Sequence, residues 1–245
     1  MHEGSPRQWP YASNNSPLPL PEHPVLFTKE AVLRLDRFNA AMTEDLLEGE
    51  ALKAYVGSYG TDDCALDELL EQAGAPPLRE RRPILLQGEL ANPYRLQEMN
   101  MGPLPLIPVR LEGICRTWAD GLDPRDAYPG IHHVTLARTP GWWEVSHVGW
   151  LRKNNSSGSE NGWTTPSPSD VEWDGTTERV SLPMPEPTGP PVSLDELLVV
   201  VHTRQGCYNH RGRLSRCVHM HQRAFHEGLF RKGSSHRWDD ILTLR

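Results

Sequence analysis

The stretch Leu85-Leu86-Gln87-Gly88-Glu89-Leu90-Ala91-Asn92-Pro93 constrains this chain more than any other. Pro83-Ile84-Leu85-Leu86 is a short apolar run bounded by turn signals, which predicts a buried strand. Gly88 allows the chain to turn tightly as it leaves that strand. Asn92 is a favoured helix cap, and Pro93 at the first helical position forfeits no intrahelical hydrogen bond. The local chemistry therefore predicts a strand, a tight turn and a helix over Pro93 to Met99. Free amides in such a turn and at a helix start can hold a carboxylate or a phosphate.

Upstream, the spacing of Val32, Leu35, Phe38, Met42 and Leu46 predicts a helix capped by Thr28. A second helix is expected through Leu52 to Val56, broken at Gly57–Gly60. Thr61 is expected to open a third, with Asp62 and Asp63 in its first turn and Gly74 before Ala75-Pro76-Pro77 as its stop. Downstream, Leu104 to Cys115 and Ile131 to Arg138 read as strands. Trp142 to Leu151 alternates in the manner of a strand in a closed sheet. Val171 to Leu182 suggests a strand pair, with the proline-rich connector 183–191 after it. Ser193-Leu194-Asp195-Glu196 fits a capping box, but the β-branched run that follows favours a strand from Leu197. Asn209-His210-Arg211-Gly212 predicts a turn, with Arg213 to His221 as the partner strand. The expected organisation is a disordered tail over 1–24 and a single α+β domain over 25–245, helical over 28–75 and β-rich over 83–230.

Bulk properties narrow the function classes. A net charge of −7 disfavours a general nucleic-acid surface. The absence of a long apolar run excludes a membrane-spanning helix. The segment Met1 to Pro24 has no apolar signal core, so a cytoplasmic protein with reduced thiols is expected. With 23 prolines the chain carries long loops, among them the Asn/Ser/Gly-rich segment 153–169. P-loop, dinucleotide-binding, serine-hydrolase and zincin motifs are all missing from the sequence, so no cofactor is expected.

Gln87-Gly88-Glu89-Leu90-Ala91-Asn92-Pro93 resembles, without a gap, the Tyr-Gly-Ser-Asn-Leu-x-Pro signature of γ-glutamylcyclotransferase-like proteins. Leu106-Ile107-Pro108-Val109-Arg110-Leu111-Glu112-Gly113 is similar to the family strand after that helix, and Val199 to Leu214 to its late hairpin. The resemblance implies a small mixed β-barrel with flanking helices, whose glycine loop takes the carboxylate of an amino-acid-like substrate. The chain departs from the family in replacing Ser-Asn by Glu89-Leu90. It also lacks, after Trp150, the segment that carries the family's acid/base glutamate.

Those departures place the expected acid/base group in the turn, at Glu89, where partial desolvation favours proton transfer and helix amides oppose it. The plainer reading pairs Glu89 with Arg110 or Arg95. Gln87, Gly88, Leu90, Asn92, Arg110, Trp150 and Arg204 complete the expected substrate site, with Arg204 as carboxylate clamp. A functional likeness to bacterial β-carboline-forming Pictet–Spenglerases, which use a glutamate in a small domain, suggests a cyclase or condensing lyase of secondary metabolism. The alternatives are a cyclotransferase-like enzyme, a non-catalytic binding module, and a zinc-bearing interaction domain. The zinc reading uses Cys207, His210, Cys217 and His219; the plainer one makes them packed thiols and surface histidines. Trp143 is expected in the core, and a homodimer fits the tryptophan-rich composition.

Overall fold

The computed structural model describes residues 4–9, 19–37, 46–86, 88–122, 132–152, 180–181, 190–192, 196–199, 209–210 and 213–220. Of Gly88 and Glu89 it describes the backbone. The elements run β1 (Val25–Phe27), β2 (Val32–Arg34), β3 (Asp36–Arg37), α1 (Gly49–Gly57), β4 (Tyr59–Gly60) and α2 (Leu66–Gln72). They continue with β5 (Arg81–Leu86), α3 (Pro93–Glu98), β6 (Leu104–Leu122) and β7 (His132–Arg152). Short strands end the series: β8 (Val180–Ser181), β9 (Pro191–Val192), β10 (Leu198–Val199), β11 (Asn209–His210) and β12 (Arg213–Leu214).

The main sheet follows the order β10-β5-β7-β6-β1-β2, with β8 on β6 and β9 on β8. All its pairings are antiparallel except β10 with β5. The α+β class thus holds. The small closed barrel implied by the family resemblance does not appear among the described residues, where the strand order ends at β10 and β2.

The spine is the long β6–β7 hairpin, whose alternation buries two different sets of side chains. Ile107, Val109, Leu111, Val148 and Trp150 face one core with Leu85 and the apolar stripes of α1 and α2. Leu104, Leu106 and Leu151 face the other with Ile84, Leu86 and Leu96 of α3. A sheet covered on both sides calls for strands without polar alternation. Val25, Leu26 and Phe27 of β1 are accordingly all fully buried.

The expected first helix is corrected over its described part. Residues 25–34 form the β1–β2 hairpin, and Thr28 is its corner. The Thr28 hydroxyl accepts from Ala31 N and donates to Ala31 O, both at 3.0 Å. Local hydrogen bonding by threonine competes with helix in this way. Phe38 and Met42 lie outside the described residues. The second helix forms as α1. The third begins at Leu66 rather than Thr61, because Thr61 and Cys64 exchange backbone hydrogen bonds in a separate turn. Gly74 ends α2 with φ +67°, and Ala75 N donates to Leu70 O at 2.8 Å.

Part of the expected tail is built into the fold. Trp9 and Leu20 pack on the α3-side core, Asn92 Nδ2 donates to Pro19 O at 2.7 Å, and His147 Nε2 lies 2.8 Å from Pro21 O. Further along, the partner strand expected over Arg213 to His221 is only β12, and a turn over 217–219 follows it.

Candidate functional site

The strand–turn–helix forms where the sequence placed it. β5 ends at Leu86, a 3-10 turn spans Gly88–Ala91, and α3 follows from Pro93. Asn92 Oδ1 accepts from Arg95 N at 3.0 Å, capping α3 while its Nδ2 ties the helix to Pro19. The turn packs against β7 just past the point where Leu86 pairs with His147. Ser146 fastens that corner, its hydroxyl donating to Leu86 O at 3.1 Å.

Other residues of the expected site take different places. Arg110 pairs with Val145 on the far side of β7 from β5, lies 3.0 Å from Glu112 Oε1 and stacks 4.6 Å from the Trp143 ring centroid. Trp150 is a core residue at 1% exposure, whereas Trp143, expected in the core, is 54% exposed. The cross-strand partners Arg110–Val145 and Glu112–Trp143 share one sheet face, so the tryptophan shields the arginine stem there instead of filling a core. Leu90 is half-buried against the α3-side core. Arg95 is buried, with Nη1 3.5 Å from Glu98 Oε2. Gln87 and Arg204 lie outside the described residues, as does the side chain of Glu89.

The zinc set does not assemble among the described residues. Cys217 is buried against Trp118 and Val134, held there by Cys217 N donating to Arg116 O at 3.0 Å. His219 is exposed and meets the Trp142 ring edge-on at 5.3 Å. Cys207 and the His210 side chain lie outside the described residues.

A second constellation escaped the sequence reading. Between Glu112↔Trp143 and Ile114↔Arg138 the β6–β7 register jumps, with Gly113 at φ +74° and Gly141 at φ +76°. Such a bulge re-aims the side chains beside it. Here it sinks Glu144 and Arg116 together, at 3% and 6% side-chain exposure. Glu144 Oε1 accepts from Arg116 N at 2.9 Å and Arg116 Nε at 2.7 Å, and Oε2 accepts from Trp142 Nε1 at 3.2 Å. Arg116 Nη1 is buried without a partner among the described residues. Arg216 stacks 4.3 Å over the Trp142 ring and closes the cluster from outside. The available signal was Glu144 alternating in step with Ser146, Val148 and Trp150; the register that pairs it with Arg116 was not available.

Two neighbouring titratable groups are tuned by burial. The Cys115 thiol is pushed up, chiefly by desolvation, and lies 3.0 Å from Thr139 Oγ1. Such a thiol is a poor nucleophile. His147 is fully enclosed, and desolvation lowers its pKa to about 4. A carbonyl only accepts, so Nε2 carries the proton given to Pro21 O, and Nδ1 is an acceptor with no partner among the described residues.

Neither a family model, nor a curated protein, nor a solved structure matches the chain.

Proposed function

We propose that the chain is a cofactor-independent small-molecule enzyme, a cyclase or condensing lyase acting on an amino-acid-derived substrate at the Gly88–Ala91 turn. The observation that supports this reading is the succession of β5, the Gly88–Ala91 turn and Asn92-capped α3, with the turn set against β7. The opening amides of a 3-10 turn have no partner within it, which suits a substrate carboxylate. Glu89, second in the turn, is the general acid/base. Ring closure by such a route shuttles protons and needs neither metal nor nucleotide.

The test uses two probes, γ-glutamyl-L-alanine followed for release of free alanine, and L-tryptophan with an aldehyde followed for the cyclised product, water leaving at imine formation and a ring proton at closure. Losing an acid/base group costs about 10²–10⁴-fold in rate. Glu89→Gln should therefore suppress turnover by at least about 100-fold with an unchanged unfolding midpoint. Turnover at the native rate in Glu89→Gln would sink the mechanism.

A non-catalytic binding module is the second reading. It is favoured by the structural employment of Asn92 and Arg110, whose polar atoms serve the helix cap, Pro19 and Glu112. Binding of either probe without turnover would select it. A homodimer stays part of both readings, with sedimentation as its check.

A further inference from the structure

At the other end of β5 from the Gly88 turn lies a cavity of about 150 Å³. Its walls are the loop after α2 (Gly74, Ala75, Pro76), the entry to β6 (Met101 to Leu104) and the paired ends of β5 and β7, where Arg81 and Arg152 both line it. Those two arginines are direct cross-strand partners, so both point from the same sheet face. Like charges placed opposite each other destabilise a sheet.

The conflict is sharpened by burial. Arg81 is 3% exposed, and among the described residues neither it nor Arg152 forms an ion pair. Buried arginine is seldom found without a counter-charge. What holds Arg81 is a frame of carbonyls: Nε donates to Pro76 O at 2.9 Å, and Nη1 donates to Pro103 O at 2.9 Å and Trp150 O at 2.8 Å. That frame fixes the guanidinium and uses its inner hydrogens, leaving Nη2 without a described protein partner. Desolvation, then Arg152, lower the Arg81 pKa to about 10, still charged at neutrality. Asp67 is the acid that opposes them, and its Oδ1 is engaged by Leu78 N at 2.7 Å.

We propose that this cavity is an oxyanion site, taking the carboxylate or phosphate group of a small metabolite between Arg81 Nη2 and Arg152. The anion supplies the contact ion pair that neither arginine has among the described residues. Guanidinium donors favour planar carboxylate and phosphate oxygens over chloride. A cavity of about 150 Å³ holds a group of roughly benzene size, which excludes a nucleotide as the enclosed moiety. Leu104, Leu151 and Met101 give it a partly apolar wall suited to a short carbon stem. The site is separate from the turn of the proposed reaction, so each stands or falls alone.

Calorimetric titration of the full chain with sodium phosphate, and separately with sodium acetate, tests this at ionic strength matched by sodium chloride. Saturable one-site binding is expected, weakened at least tenfold by Arg152→Ala. Because that residue is an exposed strand end facing a like charge, the variant should keep or raise its unfolding midpoint. Arg81→Lys, which keeps the charge but loses the carbonyl-held fork, should weaken binding as well. Binding of phosphate alone assigns a phosphate ester, and of acetate alone a carboxylate metabolite. Absence of heat beyond the chloride control for both ions, or native affinity in Arg152→Ala, overturns the proposal.

Discussion

Replacing Glu144 by leucine should be among the most damaging single changes available in this chain. The substitution keeps an apolar body on the β7 face that carries Ser146, Val148 and Trp150, but removes an acceptor from three donors at once: Arg116 N, Arg116 Nε and Trp142 Nε1. Arg116 would be left as a buried cation at 6% side-chain exposure with its Nη1 already without a partner among the described residues. Breaking one side of a buried ion pair costs about 3–5 kcal/mol, and the two orphaned neutral donors push the value toward the upper end. A domain stable by about 5–15 kcal/mol would lose a large share of its margin. Pairing the change with Arg116→Met should recover most of the loss, because the uncompensated charge leaves together with its partner. The assay is a double-mutant cycle from urea unfolding midpoints and slopes. A single-mutant cost below about 1 kcal/mol, or strictly additive effects, would refute the buried pair and place both groups in solvent.

Other consequences follow from the same sheet. The pKa of His147 is about 4 in the fold and near 6.5 when unfolded, so the unfolded chain binds the extra proton between these values. Stability from this group is complete above about pH 6.5 and falls as pH drops toward 4, by up to about 3 kcal/mol. His147→Gln should flatten that slope in midpoints measured across the range, and an unchanged slope would mean that His147 is solvated. Gly149 is a packing requirement: a Cβ there would meet Leu86 Cδ1 at 2.9 Å and Leu104 Cδ1 at 3.6 Å. Gly149→Val should cost about 1–3 kcal/mol by overpacking, and a neutral result in thermal unfolding would contradict the tight packing of Leu86 and Leu104 over β7.

Much of the fold was written in local chemistry. Asn92-Pro93 and Gly74 punctuate their helices through backbone geometry that needs no distant partner, and the β6 and β7 segments carry long apolar patterns. The β1–β2 hairpin was hidden for the opposite reason. Three-residue strands show no period of their own, and Val25 to Phe27 are strands because β6 lies beside them. Val32 and Leu35 fit helical spacing equally well, and only the Thr28 corner decides against it. The sequence reads as two strands, Ile131 to Arg138 and Trp142 to Leu151, where β7 is continuous, because the chain bulges between them and resumes its pairing. Trp143 was placed in the core from residue type, but its strand parity sets it beside exposed Val145. The Glu144–Arg116 pair was illegible because the register jump at Gly113 brings them together. Of the candidate site, the turn and its cap were legible; the positions of Arg110 and Trp150 required the sheet register.

The central claim is that the Gly88–Ala91 turn receives the substrate. Backbone amide chemical shifts of the labelled full chain, followed while γ-glutamyl-L-alanine and then L-tryptophan are added, test it most directly. The account predicts saturable shifts concentrated on Gly88, Glu89, Leu90 and the start of α3, absent in a Gly88→Val variant that keeps its unfolding midpoint. Saturable shifts confined to other parts of the sheet, or none at that turn with either probe, would contradict it.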